Sequence, residues 1–217
     1  MQARGCTRCP QLASTRTQVV FGSGNADADL MFVGAAGKLL DELLDGVGLE
    51  RSDVFIGNVL MCRPPGNRDP LPGEIDNCQG YLMRKVELIA PRVICTLGNF
   101  STKLLRGDPT GISKLHGQAE IITIGTRAVR LYPLYHPAAA LYTRALLDTL
   151  RADMARLPEL LAMDPPAQPE PVAVVEAVPE PEIVTQPARP PVPAQPAPPG
   201  RQSASEEEPG DAQLGLF

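Results

Sequence analysis

The chain has 217 residues and a formal net charge of −5, but the acidity is concentrated at one end. Residues 1–163 carry 18 Lys and Arg against 16 Asp and Glu, whereas the remainder carries 2 against 9, so the charge does not exclude nucleic-acid binding by the first part. No apolar run approaches the roughly 20 residues of a membrane span and no apolar segment follows MQARGC, so we expect a cytoplasmic protein with no membrane partner.

Short apolar runs rich in β-branched residues alternate with amphipathic patterns along the first part of the chain. In order, we predict a strand at DLMFVG, a helix at GKLLDELLDGVG, a strand at VFIGNVL, a helix over about residues 74–89, a strand at RVICTLG, a helix at NFSTKLLRG, a hairpin at AEIITIGTRAVRLYPLYHP and a helix over residues 138–161. This alternation predicts an α/β fold, a three-layer α/β/α sandwich with a mainly parallel central sheet. Ligands of such sheets bind at the loops that follow the strands, here GAAG, NVLMCRPPGN and YHPAAAL.

The composition changes after residue 163, where 14 of the 24 prolines lie. A Pro-rich, acidic segment with few large apolar residues cannot bury a core. We therefore predict one folded domain at residues 1–163, a disordered Pro/Glu-rich linker at residues 164–212 and a short peptide at residues 213–217. The peptide QLGLF contains Leu and Phe that the tail otherwise nearly lacks, which indicates a small hydrophobic anchor.

Four cysteines form the strongest chemical pattern in the sequence. Cys6 and Cys9 belong to a CTRC turn, and Cys62 and Cys78 stand sixteen residues apart in MCRPPGNRDPLPGEIDNC. Four thiolates suit a [4Fe–4S] cluster or a tetrahedral zinc ion, and the spacing alone does not distinguish them. Cys95 lies inside a predicted strand, where we expect an ordinary buried thiol.

Polar residues follow two of the predicted strands. His136 comes directly after the last strand and is held by Pro137, a placement that favours a functional imidazole. Asn58 lies at the end of the second strand, where its amide can contact the edge of a base or form a turn. In the basic loop RPPGNRDP, Arg63 and Arg68 are candidates for phosphate contacts.

The chain resembles the family 4 (type 4) uracil-DNA glycosylases, which contain an iron–sulfur cluster. The resemblance spans about residues 4–156, and its carriers are CTRCPQLASTRTQVVFGSGNADADLMFVG, VFIGNVLMCRPPGNRDPLPGEIDNC, PRVICTLGNFSTKLL and YHPAAAL. The C-terminal QLGLF is separately similar to the bacterial sliding-clamp binding motif, usually QL(S/D)LF.

The resemblance implies removal of uracil from DNA by hydrolysis of its N-glycosidic bond, after the base has been flipped into a pocket. It assigns the cluster ligands to Cys6, Cys9, Cys62 and Cys78. It implies that Asn58 recognises uracil and that His136 donates a hydrogen bond to uracil O2 during catalysis. The segment after His136, with Leu141, would enter the DNA. The clamp contacts would come from Gln213, Leu214, Leu216 and Phe217, and we expect a monomer.

The sequence departs from the family at its first motif, of the form GEAPGxxEDxxGxPFVG. Here MFVG continues directly into AAGKLLDELL, so roughly fifteen residues are missing, including the acidic loop that positions water and the Phe that stacks on uracil. Gly34 and Ala35 are what remains of this substrate-binding loop. An impaired glycosylase is therefore one expectation, and a non-catalytic DNA- or clamp-binding relative and an unrelated zinc- or redox-cysteine protein are the alternatives.

Overall fold

The computed structural model describes residues 4–35 and 37–170. The strands are β1 (Ser23–Gly24), β2 (Leu30–Val33), β3 (Val54–Gly57), β4 (Val93–Leu97), β5 (Glu120–Ile124) and β6 (Arg127–Leu134). The helices are α1 (Pro10–Thr15), α2 (Lys38–Asp45), α3 (Pro72–Ile89), α4 (Asn99–Arg106), α5 (Ile112–Leu115), α6 (Pro137–Ala140), α7 (Arg144–Met154) and α8 (Leu157–Ala162), with a 3₁₀ turn at Pro65–Asn67. None of these helices combines the length and apolar character needed to cross a membrane.

The six strands form one sheet in the order β1-β3-β2-β4-β6-β5. The four central strands β3, β2, β4 and β6 are parallel, while the outer strands β1 and β5 pair in the antiparallel sense. The prediction of a mainly parallel sheet is therefore confirmed, and so is the hairpin, which consists of β5 and β6.

Two hydrophobic clusters cover the two faces of the sheet, because alternate side chains of a strand point to opposite sides. In β2, Leu30 and Phe32 pack into the cluster formed with α2, α7 and α8. Met31 and Val33 pack into the other cluster, which contains residues of α1, α3 and α4. The arrangement has three layers, as the sequence predicts. Cys95 is fully buried in the first cluster, as expected.

Two predicted elements differ in extent from the observed ones. The strand predicted at VFIGNVL ends at Gly57, because the Asn58 side chain accepts a hydrogen bond from the Val59 N–H and turns the chain. The helix predicted over residues 138–161 is three helices, since Thr143 adopts extended backbone angles between α6 and α7. The short elements α1, β1 and α5 have too few residues to produce a periodic signal.

The chain continues to contact the domain beyond residue 163. The Gln168 side chain accepts a hydrogen bond from the Ala128 N–H and donates one to the Ala128 carbonyl, as a neighbouring strand would. The Arg130 guanidinium also donates to the Asp164 carbonyl. The peptide at residues 213–217 and most of the predicted linker lie outside the described residues.

Candidate functional site

The loops after the four parallel strands meet at one edge of the sheet. The Gly34 N–H donates to the Gly57 carbonyl at 3.0 Å, and the Gly98 N–H donates to the Leu134 carbonyl at 2.8 Å. Asn58 follows the first pair and His136 follows the second. With neighbouring strands roughly 4.8 Å apart, β3 and β6 are separated by roughly 14 Å, and β2 and β4 lie between them.

His136 is half-buried at the start of α6, where its imidazole caps the helix. Its Nδ1 accepts a hydrogen bond from the Ala138 N–H at 3.1 Å. A ring nitrogen that accepts a hydrogen bond carries no proton in a neutral imidazole, so the proton lies on Nε2. Burial lowers the pKa of His136, and a backbone hydrogen bond with Ala35 acts in the opposite direction. In the neutral ring, Nδ1 is thus the acceptor and Nε2 carries the N–H donor.

Two glycines allow the backbone to approach closely around this histidine. Gly98 has a φ of +87°, and a β-carbon placed on it would lie 3.0 Å from His136 Cβ. Gly34 has a φ of +147°, and a β-carbon there would lie 2.7 Å from Leu97 Cβ. Both positions require glycine for conformation and for space, so they hold the ends of β2, β4 and β6 together.

Asn58 is half-buried and its orientation is set by its own loop. Its Oδ1 accepts the Val59 N–H at 2.8 Å, an arrangement that directs the rest of the amide away from the backbone. A carbonyl oxygen has a second lone pair, so the same amide can still offer one acceptor and its NH₂ donors to a ligand. Both interpretations of the sequence, the turn and the base contact, are compatible with this geometry.

The two arginines of the RPPGNRDP loop have different environments. Arg63 is exposed and its Nε donates to Asn67 Oδ1 at 2.6 Å. Arg68 forms a bidentate pair with the buried Glu74, at 2.7 and 2.9 Å. Glu74 also accepts the Leu71 N–H at 2.9 Å and so caps α3. The hydrogen bond from Arg68 is the main cause of the lowered pKa of Glu74. Arg68 thus anchors the loop to α3.

Exposed apolar side chains follow α6. Leu141 is 67% exposed and the adjacent Tyr142 is 90% exposed. Both side chains are therefore accessible beside the His136 loop. Sequence reasoning selected Leu141 and missed Tyr142, although the same break between α6 and α7 presents both.

The connection between β2 and α2 is very short. Only residues 34–37 join Val33 to Lys38, and they contain no acidic or aromatic residue. The first carboxylate of α2, Asp41, is paired with Arg51 at 2.6 Å. The described part of this connection therefore provides no group to orient a water molecule beside a bound base.

The four cysteines of the predicted metal site line one cavity, although they come from three separate segments. All are free thiols, and three of them pack against the hydrophobic cluster that also contains α3. Hydrogen-bond donors lie against three of the four sulfur atoms. The contacts are Arg16 Nη1 to Cys62 Sγ at 3.4 Å, the Met61 N–H to Cys78 Sγ at 3.4 Å, and Asn77 Nδ2 to Cys9 Sγ at 3.6 Å.

The four thiols and the N–H donors around them suit a metal site with several thiolate ligands. N–H donors directed at sulfur stabilise negative charge on it, and this is a typical second shell of iron–sulfur and zinc sites. Within residues 4–35 and 37–170, no three His, Cys, Asp or Glu side chains converge closely enough to hold a single metal ion. Burial raises the pKa of Cys78 above its ordinary value. Sequence reasoning did not identify Arg16 or Asn77, which have no local signature.

Comparison with known proteins gives a consistent result. The family model of the Uracil DNA glycosylase superfamily matches residues 18–157. The type-4 uracil-DNA glycosylase of Archaeoglobus fulgidus is 38% identical over 181 residues, covering 74% of this chain and 90% of the relative. Type-4 uracil-DNA glycosylases of Sulfurisphaera tokodaii and Saccharolobus solfataricus are 39% and 38% identical, covering 71% and 76% of this chain and 80% and 85% of the relatives.

The alignments also contain positions that this chain lacks. The comparison with the Archaeoglobus fulgidus protein spans 181 positions, whereas 74% of a 217-residue chain is about 161 residues, so about 20 positions have no counterpart here. The family model and these relatives show that this chain belongs to the uracil DNA glycosylase superfamily and, within it, to the type-4 uracil-DNA glycosylases.

Proposed function

We propose that this protein hydrolyses the N-glycosidic bond of uracil in DNA, as a base excision repair enzyme. The observation that carries the proposal is that Asn58 and His136 lie at the carboxyl edge of the parallel sheet, after its strands β3 and β6. Both residues belong to the span that matches the family. A base lying between them would contact an amide on one side and an imidazole Nε2–H on the other. Such a site needs an extrahelical base, so the uracil must be flipped out of the DNA stack.

His136 is the catalytic residue of this proposal. Cleavage of the glycosidic bond transfers the bonding electrons to uracil, and negative charge develops on its O2. A neutral imidazole donor held in place by the Ala138 N–H stabilises this charge without reorganisation. The lowered pKa of His136 supports the role, because a neutral ring remains a hydrogen-bond donor and keeps its Nδ1 contact.

Asn58 and Gly34 form the substrate-binding part of the site. The amide of Asn58 would hydrogen-bond to the edge of uracil, and the opposite arrangement of donors and acceptors on cytosine would leave a buried polar group unpaired. Gly34 lies against the end of β4, where only glycine fits, and its backbone would contact the base.

The short connection at residues 34–37 limits the rate of this reaction. Positioning of reactants accounts for about 7–11 kcal/mol of barrier reduction in favourable enzymes, and here the residues that would position water are absent from the connection. We therefore propose a glycosylase that stabilises the leaving base but relies on water that is not held by a carboxylate. The slower cleavage would result from the short connection between β2 and α2 and not from Asn58 or His136.

DNA contacts would come from the surface around these loops. The exposed Arg63 is suited to a phosphate, while Leu141 is suited to the space left by the flipped nucleotide. Arg68 was selected from the sequence for the same role, and its bidentate pair with Glu74 favours an indirect one, in which it fixes the loop that carries Arg63.

The proposed cofactor is a [4Fe–4S] cluster held by Cys6, Cys9, Cys62 and Cys78. When bound, it would supply a structural link between the N-terminal segment, the loop after β3 and α3, and it takes no part in glycosidic cleavage. Support comes from four free thiols that line one cavity, with N–H donors against the sulfur atoms of Cys9, Cys62 and Cys78. Four thiolates are the usual ligands of such a cluster.

We further propose that Gln213, Leu214, Leu216 and Phe217 bind a sliding clamp, with the Pro-rich residues 164–212 as a tether to the domain. The basis is the sequence QLGLF at the end of a Pro-rich segment. We also propose that the protein is a cytoplasmic monomer, which this tether would connect to the replication machinery.

The test is a cleavage assay on a uracil-containing oligonucleotide, single-stranded and paired with guanine, followed by alkali to break the abasic strand. The proposal expects cleavage at uracil and none in a matched cytosine oligonucleotide, with cleavage lost in His136→Ala. A brown, folded protein that leaves both uracil substrates intact after prolonged incubation in excess would refute the glycosylase activity.

A further inference from the structure

Lys85 on α3 has an unusual environment for a charged side chain. It is only 4% exposed, and its Nζ has no hydrogen-bond or ion-pair partner among the described residues. Arg92, Arg106 and Arg127 also contain a buried nitrogen without a partner, but Arg92 and Arg106 donate through other nitrogens and Arg127 is only half-buried. Lys85 has only one side-chain nitrogen, so its entire charged group is buried without a hydrogen bond or an ion pair among the described residues. A buried ammonium without a partner is costly, and its presence needs a physical reason.

The position of Lys85 on α3 directs it towards the cysteine cavity. Lys85 is seven residues after Cys78, which is close to two helical turns, so the two side chains share one face of the helix. Long side chains on a helix lean towards its N-terminus, which here is the direction of Cys78. The neighbours of Lys85 on α3, Leu82 and Val86, belong to the same hydrophobic cluster that Cys78 packs against.

Two groups near the Lys85 ammonium are identified, the aromatic ring of Phe21 and the thiol of Cys78. Its Nζ lies 5.9 Å from the centre of the Phe21 ring, which provides a weak cation–π contact. Burial lowers the pKa of Lys85, and the nearby Cys78 acts in the opposite direction. The only described carboxylate that lines the cysteine cavity, Glu74, is already neutralised by Arg68. Cys78 is the charged partner that acts on Lys85, and its thiolate would balance the ammonium when it ligates a metal group.

We propose that Lys85 is the buried countercharge of the iron–sulfur cluster and sets its reduction potential. The inference rests on the cofactor of the proposed function but not on the glycosylase activity. A cluster with four thiolate ligands is an anion, and a fixed cation in a medium of low dielectric constant stabilises its more reduced, more negative state. Arg16, which donates to Cys62 Sγ from a half-exposed position, is the second cation of the site.

The experiment compares the midpoint potential of the cluster in the intact protein with that in three variants. Lys85→Met removes the charge and keeps the length of the side chain. Lys85→Arg keeps the charge, and Arg84→Met is the matched control, because Arg84 is an exposed cation on the same helix. Potentials are measured by anaerobic spectroelectrochemical titration of the cluster-loaded full-length proteins.

We expect the potential of Lys85→Met to shift to a more negative value, with Lys85→Arg shifted less and Arg84→Met unchanged. Faster loss of the cluster from Lys85→Met in the presence of an iron chelator would add support. If Lys85→Met does not accumulate as folded protein, Lys85→Gln, which is neutral but polar, gives the same comparison. Equal potentials in all variants would overturn the inference and leave Lys85 with a packing role only.

The outcomes separate this inference from the proposals on which it depends. A colourless protein containing stoichiometric zinc would reject the cofactor and the countercharge together. A brown protein with unchanged potentials would reject only the countercharge. A protein that fails to cleave uracil but shows the shift would retain the countercharge while the glycosylase activity is rejected.

Discussion

Gly98 and His136 lie so close together that a β-carbon on Gly98 would be 3.0 Å from the β-carbon of His136. The contact joins the end of β4 to the loop after β6 and sets the position of the imidazole at the edge of the sheet. The left-handed φ of +87° adds a conformational reason for glycine at this position.

Substitution of Gly98 is therefore expected to move His136. Gly98→Ala should lower the rate of uracil release by about tenfold or more, because displacement of a positioned donor costs catalysis steeply. Single-turnover cleavage measures this effect. Gly107→Ala is the matched control, since Gly107 also has a positive φ of +65° but has nothing near its position. Equal loss of activity in both variants would mean that strain alone, and not the contact with His136, explains the result.

His136 also gives the protein a pH dependence with a defined sign. Its pKa is lowered in the folded protein from an ordinary value of 6.5, so the unfolded chain takes up the proton first as the pH falls. The stability contributed by the neutral ring is complete above about pH 6.5 and decreases below it, towards the lowered pKa. We expect His136→Gln to reduce the slope of Tm against pH in this window. Parallel curves for the variant and the intact protein would contradict this.

Loss of the His136 side chain should affect the chemical step directly. Removal of one preorganised donor from a developing anion typically costs about 100- to 1000-fold in kcat. We expect His136→Ala to show that loss with little change in DNA affinity, measured by single-turnover kinetics and by fluorescence anisotropy. A fall in affinity that accounts for the whole loss would assign His136 to binding instead.

Restoring a loop between Gly34 and Gly37 should increase activity. Insertion of about 15 residues in the form of the family's first motif, with its acidic residues and Phe, would add a water-positioning group and a stacking ring. We expect a gain of at least about 100-fold in single-turnover rate, because the positioning of reactants contributes strongly to enzymatic rate enhancement. A Gly/Ser insertion of equal length is the control. No gain in a folded, DNA-binding insertion variant would reject the argument.

Substitutions of the two arginines of the basic loop should affect different properties, DNA binding for Arg63 and stability for Arg68. Arg63→Ala is expected to weaken DNA binding and to reduce the slope of log affinity against log salt by about 1, with unchanged Tm. Arg68→Ala is expected to lower Tm, because it leaves the buried carboxylate of Glu74 without its bidentate partner. The opposite assignment of effects would show that Arg68 is the phosphate contact.

The cysteines offer a test of the metal site with a control in the same chain. Cys78→Ser should abolish the brown colour near roughly 400 nm and lower Tm, since iron–sulfur clusters are held by thiolates. Cys95→Ala should keep the colour, because Cys95 is buried in the core on the other hydrophobic cluster. Iron retained at the normal ratio in Cys78→Ser would remove Cys78 from the ligand set.

The sequence alone was sufficient for the family, the three-layer fold and the hairpin of β5 and β6. Each depends on local patterns, such as the apolar run of β2 and the CTRC turn, which neighbouring residues determine. The burial of Cys95 was also predictable, because it follows Val93 and Ile94 in an apolar strand. The roles of Asn58, His136 and the four cysteines stay predictions until they are tested.

Other features were decided only by tertiary structure. The pairing of Arg68 with Glu74 and the contact of Gly98 with His136 depend on where loops meet after folding, which residue types do not encode locally. Lys85 has an ordinary position in an amphipathic helix, and only the packing of α3 against the sheet shows that its ammonium is buried. The sequence therefore determined which chemical groups the protein carries, while the packing of helices and loops on the sheet decided which charges and donors face one another.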